Sequence, residues 1–339
     1  MEYHWPFAVC VTLVSVFAIG AVVLLRRYEG VKVSISRSDK VEDPYSVARV
    51  PIGYLRREEL WNACGGAVNP NYLLFFRGLC LIYLLSFLGY NTFRRNLVVL
   101  FFYTEWTFTL LVVYFALAFR QSLLHYLEGR SMATVSRSTL PTTSVHPDDS
   151  SLTEPLNGGA MDKFLIQPEQ ETAPEVPFAR GQETQVEASV EGYVTQCVFQ
   201  AVLPAAVLTD LIYWGFLVPV FLPPNWQHSF IDINKHAINL VILIIEFSLN
   251  SLRFPWFRVS YFILWSTAYV SFQWICHSAG IVHYWPYPFM NVDTPYAPAW
   301  YFFIIFCHGI CFAICLLLAF CKQNVCYRAN SPGTERMIS

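Results

Sequence analysis

Charge is what this sequence has least of. Asp, Glu, Lys and Arg together make up 14% of 339 residues, against 55% hydrophobic and 17% aromatic, and the mean hydropathy is +0.40. A soluble domain needs a charged exterior, so this composition excludes a soluble fold and implies a multi-pass membrane protein. There is no basic run, which removes nucleic acid from the expected partners. There is no Asn-x-Ser/Thr sequon either, so glycosylation gives no clue to the lumenal side. The chain also lacks Cys-x-x-Cys, His-Glu-x-x-His and paired, closely spaced histidine boxes, the spacings that hold zinc or a di-iron centre. Most of its ten cysteines, including Cys10, Cys80, Cys197, Cys276, Cys307, Cys311 and Cys315, lie inside apolar stretches. Packing is their expected role rather than disulfide bonding.

What is present in abundance is apolar sequence of bilayer length, about 20 residues at a time. Spans are expected at 6–25, 70–90, 97–119, 193–221, 230–250, 256–278 and 298–320. The fold class is therefore all-α, a polytopic transmembrane bundle of seven spans. Residues 1–69 hold the first helix and a cytoplasmic loop, 70–119 two core helices, 192–321 four more, and 322–339 a polar cytoplasmic tail. Between the core segments, 120–191 is rich in Ser, Thr, Pro, Glu and Gly and poor in aromatics. It cannot bury enough apolar surface to offset the entropy of ordering, so a disordered cytoplasmic linker is expected. Pro204 and Pro219 predict a kink in the 193–221 helix.

Orientation follows from the basic residues. Arg26 and Arg27 come after the first apolar run, and no Lys or Arg precedes it, as in a retained anchor with its N-terminus outside. The loop after the first span, the linker, the turn at Arg253 and Arg258, and the tail then hold eight, five, two and three of the 22 Lys and Arg. Only Arg94 and Arg95 remain outside, so the N-terminus is expected outside or lumenal and the C-terminus cytoplasmic, in the endoplasmic reticulum or the plasma membrane.

The most informative stretch is 230–250, FIDINKHAINLVILIIEFSLN. Asp232, His236, Asn239 and Glu246 fall at offsets of four, three and seven, within about 80° on one side of a helix. A polar stripe at bilayer depth marks a functional interior facing other helices. If the third helix enters near Asn96 and the fifth near Ser229, Thr104 and His236 each lie roughly 11 to 12 Å down at 1.5 Å per residue. A hydroxyl and an imidazole at one level in a dry interior suit nucleophilic catalysis, with Thr104 attacking and His236 as general base. Asn239 is the preferred oxyanion donor; Lys235 is a poorer one, expected to snorkel outward. Asp210 or Asp232 could orient the imidazole. Arg77 and Glu246, both toward the cytoplasmic third, are expected to form a structural salt bridge.

Three short motifs carry a resemblance. HAINLVILIIE places His236 ten residues before Glu246; Trp274, His277 and Gly280 have W-x-x-H-x-x-G spacing, followed by Tyr287, Pro288 and Phe289; and FFYTEWTFTLL contains Thr104 in Phe-x-Thr-x-Trp. Together they resemble the androgen-induced-protein and Rolling stone-like family over residues 70 to 320, with the first helix an addition to that six-helix core. The resemblance implies an intramembrane threonine hydrolase that cleaves fatty acid esters of hydroxylated fatty acids, with Thr104 and His236 as its pair and His277 in support. No cofactor and no metal are implied; the implied partners are membrane lipid and a lipid ester substrate. Two other classes stay open: a non-enzymatic scaffold or signalling protein of Rolling stone type, and a haem or metal protein using His236, His277, His283 and His308.

Overall fold

The structure is a computed structural model and describes residues 5–29, 53–138 and 186–330. Its elements are helices joined by turns, with β pairing among these residues limited to isolated bridges. Among the described residues there are seven helices: α1 (Trp5–Tyr28), α2 (Pro70–Arg95), α3 (Tyr103–Ser138), α4 (Val190–Ile212), a segmented α5, α6 (Val259–Ser278) and α7 (Ala297–Asn330). Helix α4 continues as a wider π-helical stretch over Tyr213–Phe221, and α5 is built from Phe230–Ile233, a π turn at Asn234–Ile238 and Asn239–Leu249. Among the described residues, 5–29, 53–127 and 186–330 form the bundle, and the end of α3 from Glu128 belongs to a second unit.

Five of these helices, not the expected seven, are long and apolar enough to cross a membrane: Trp5–Tyr28, Pro70–Arg94, Tyr103–Ser131, Val190–Phe221 and Ala297–Asn324. The protein is an all-α, multi-pass membrane protein on that ground. Helix α5 falls short because Asp232, Lys235 and Glu246 interrupt its apolar run. Helix α6 falls short because Ser, Thr, Gln, Trp and Tyr dilute it.

One end is knitted from residues 53–69, 186–189 and 250–258. The Arg57 amide donates to the Val186 carbonyl at 2.9 Å and the Ala188 amide to Leu55 at 3.0 Å. Ser251 Oγ donates to the Asn62 carbonyl and accepts from the Gly65 amide, each at 2.9 Å. The tight turn that brings this amide round puts Gly65 and Gly66 at φ 64 and 92, a left-handed conformation that glycine adopts without steric cost. Two ion pairs close the same end, Arg253 with Glu59 at 2.5 Å and Arg258 with Glu29 at 2.7 Å. At the other end, Tyr269 Oη and Gln273 Nε2 both donate to the Phe101 carbonyl at 2.9 Å. The rings of Phe102 and Tyr287 meet there at 6.1 Å.

Three element boundaries differ from the sequence expectation. Helix α3 starts at Tyr103, after a 3-10 stretch over Asn96–Phe101, so Thr104 sits in its first turn. The same helix runs on to Ser138, into the expected linker, because FRQSLLHYLEGRSMATVSRS contains no proline to stop it. The rest of that linker, 139–185, lies outside the described residues. Helix α7 likewise passes the expected tail boundary and ends at Asn330. Pro204 is accommodated within α4, whereas Pro219 falls in the π-helical stretch, where the missing N–H removes a ladder bond.

Candidate functional site

An apolar cavity lies inside the bundle, with a volume of about 220 Å³, and its walls include Thr104, His236, Thr209, Tyr287 and Ser266. Val14 and Phe17 of α1 form part of the wall. Helix α1 is the least buried of the five candidate spans.

His236 is placed by a break in its own helix. At φ −128 and ψ 17 it leaves helical geometry inside the π turn, and such a bulge frees backbone groups from the ladder. Its carbonyl accepts a hydrogen bond from the Trp214 indole. The imidazole stacks on Tyr213, with ring centres 3.8 Å apart and planes 5° from parallel. Two adjacent aromatics from the end of α4 thus hold both the backbone and the ring.

Behind the ring stands Asp210, its Oδ1 3.8 Å from His236 Nδ1. That separation suits an ion pair and is too long for a hydrogen bond. Among the described residues, neither atom has a hydrogen-bond partner. Asn239 also interacts with the Asp210 carboxyl. Asp232 is occupied elsewhere: it forms a capping box with Ser229, receiving the Ser229 amide at 2.9 Å and hydroxyl at 2.8 Å. Of the two carboxylates considered from sequence, Asp210 is the one beside the imidazole.

Thr104 faces Tyr287. The phenol oxygen of Tyr287 interacts with the Thr104 hydroxyl and with the backbone amides of Tyr103 and Thr104 at the start of α3, where amides lack intrahelical partners. Burial pushes the Tyr287 phenol up, and these contacts offset part of that shift. The Tyr-Pro-Phe segment therefore folds over the threonine end of the cavity.

Lys235 does not snorkel. It is buried and ion-paired with Glu105, and its Nζ donates to Asn91 Oδ1 at 3.3 Å. Asn91 Nδ2 completes the cluster by donating to both Glu105 oxygens, at 3.0 and 2.9 Å. The reason is cost: an ammonium and a carboxylate on neighbouring helices neutralise each other more cheaply than either reaches water. Glu105 was missed in the sequence, although a lone carboxylate within FFYTEWTFTLL opposite an in-helix lysine is a readable signal.

Arg77 and Glu246 meet at 2.7 Å, away from the cavity. His277 is not a cavity residue; it stacks on Trp285 at 4.1 Å. His308 is on the cavity wall, stacked on Phe262 at 4.6 Å. His236, His277 and His308 thus each pack against a different ring, and among the described residues no three His, Cys, Asp or Glu side chains gather as a metal set. Comparison of the chain with protein-family models, with curated proteins and with solved structures finds no match.

Proposed function

We propose that this membrane protein takes a lipid ester from the bilayer into the bundle cavity and hydrolyses it with Thr104 and His236. The observation that carries this reading is that the two side chains come from distant parts of the chain and line one apolar cavity, with Asp210 behind the histidine. The likeness of the His236, Trp274 to Phe289 and Thr104 motifs to the androgen-induced-protein and Rolling stone-like family points to the same chemistry, with fatty acid esters of hydroxylated fatty acids as the substrate class. The acyl chain would enter past α1, the least buried of the candidate spans, which contributes Val14 and Phe17 to the cavity.

In the reaction, Thr104 Oγ1 bonds to the ester carbonyl carbon as His236 takes its proton. The imidazolium so formed gains the Asp210 carboxylate as a counter-charge, an interaction stronger in the transition state than in the resting protein. His236 returns the proton to the leaving alcohol, and water then releases the acid. The basic-residue count supports an N-terminus outside or lumenal and a cytoplasmic C-terminus.

The test is covalent labelling of membranes by a fluorophosphonate probe, comparing wild type with Thr104→Ala and His236→Ala at equal expression. An adduct located on Thr104 in the wild type and lost in both variants supports the hydrolase. A wild-type protein labelled only at other residues removes this pair from the chemistry, and no labelling of wild type leaves a scaffold or binding protein.

A further inference from the structure

Hydroxyls in membrane helices usually bond their own backbone, three or four residues back. In this bundle Thr12, Ser86, Thr195, Thr209, Ser248 and Ser260 all do so, at 2.7 to 2.9 Å. Ser266 on α6 is different. Its Oγ lies 2.8 Å from His308 Nε2 on α7 and 2.7 Å from Tyr103 Oη at the start of α3. Three helices thus supply three polar groups to one point, and all three line the cavity.

The proton positions follow from the partners. His308 Nδ1 lies 2.7 Å from the Ile304 carbonyl, which only accepts, so in the neutral ring Nδ1 carries the hydrogen and Nε2 the lone pair. Nε2 must then accept from the Ser266 hydroxyl. With its only proton committed to His308, Ser266 Oγ accepts from Tyr103. The carbonyl of Ile304 sets the tautomer, and stacking on Phe262 sets the plane. This is a hydroxyl already hydrogen-bonded to the basic nitrogen of an oriented imidazole, the arrangement that activates a nucleophile. Thr104 and His236 show no such direct bond.

We infer that Ser266 and His308 form a second acyl-accepting pair on this cavity, with Tyr103 as the positioning residue that aims the serine proton at the histidine. Ser266 Oγ forms a bond to the carbonyl carbon of an ester while His308 Nε2 takes the hydroxyl proton. The bond to the alcohol oxygen breaks, His308 delivers the proton to that oxygen, and water hydrolyses the acyl-serine to free acid and serine. With a fluorophosphonate, the same attack displaces fluoride and leaves a phosphonyl-serine. The inference shares with the preceding proposal only the reading that the cavity admits an ester; it does not use Thr104 or His236.

The experiment is to label the full-length wild type in membranes with an alkyl fluorophosphonate, then digest it and locate the adduct by tandem mass spectrometry. A phosphonyl group on Ser266, retained in Thr104→Ala and lost in Ser266→Ala and His308→Gln, supports the second pair and separates it from the first. An adduct on Thr104 alone, or label undiminished in Ser266→Ala, overturns it while leaving the Thr104 proposal standing. Absence of any adduct on wild type overturns both. Site location on wild type needs no variant to fold. Tyr103→Phe serves as the positioning control: it slows labelling at Ser266 without moving the site, whereas a purely structural role leaves that rate unchanged.

Discussion

Arg77 Nη2 and Glu246 Oε1 lie 2.7 Å apart, with both side chains sealed from the surface. Around them every charge has further partners. Arg77 Nη1 donates to the Leu60 carbonyl at 2.8 Å and to Ser122 Oγ at 2.7 Å, and Tyr114 Oη donates to Glu246 Oε1 at 2.6 Å. The pair ties α2, α3, α5 and the 53–69 turn together. A buried ion pair survives only when its remaining donors and acceptors are satisfied in this way.

Glu246→Ala strands the guanidinium and is expected to cost about 3–5 kcal/mol, as removing one member of a buried pair does. Thermal unfolding in detergent should show a large drop in midpoint. The double variant Arg77→Met with Glu246→Leu should recover much of it, since no uncompensated charge is left. Equal loss in single and double variants would show that stability resides in the geometry of the network rather than in charge pairing.

Asp210→Asn should slow fluorophosphonate labelling at Thr104 while leaving the unfolding midpoint nearly unchanged. The carboxylate is required only when His236 becomes positive, so its loss acts on the reacting state. A fall in stability with an unaltered labelling rate would make Asp210 a packing residue.

Trp214→Phe keeps an aromatic ring at the start of the π-helical stretch but removes the donor to the His236 carbonyl. Leaving that carbonyl without a partner should cost roughly 1–3 kcal/mol, and the labelling rate should fall as the π turn loosens. Hydrogen exchange at residues 234–238 reads the effect locally; unaltered protection there would mean that the bulge is held by the Tyr213 stack alone.

Glu59 gives a pH test outside the spans. Burial raises its carboxyl pKa, and the neighbouring Arg253 reverses only part of that rise. In the folded protein the group therefore holds its proton to higher pH than in the unfolded chain. Its contribution is most favourable below the ordinary carboxylate value and is lost as pH rises through the folded value. Relative to Glu59→Gln, the wild type should lose stability as pH rises from about 4 toward neutrality, since a buried acid is ionising. Unfolding midpoints of the two proteins across that range measure the difference, and parallel curves would contradict the sign.

The helices were legible in the sequence because twenty apolar residues in a row have few alternatives in a bilayer. The exceptions have local causes. Thr104 is not seven residues down a helix but in its first turn, since Asn96–Phe101 winds as a 3-10 stretch, a choice that apolar composition does not reveal. Lys235 was expected to reach for water because it was read without Glu105; the two are 130 residues apart in the chain. In the sequence His308 is only one of four histidines that could hold haem or a metal, and its contact with Ser266 is what distinguishes it.

Composition alone decided that this chain lives in a membrane, since 14% charge cannot clothe a soluble surface, and residue types along α5 decided that this helix would carry a polar stripe. Which groups meet was decided by tertiary packing. The π turn rotates His236 toward Asp210 and Tyr213, α6 and α7 bring Ser266 to His308, and Tyr287 returns over Thr104. Each of these contacts depends on helix rotation and depth, which a periodic apolar pattern constrains only to a face and never to a partner.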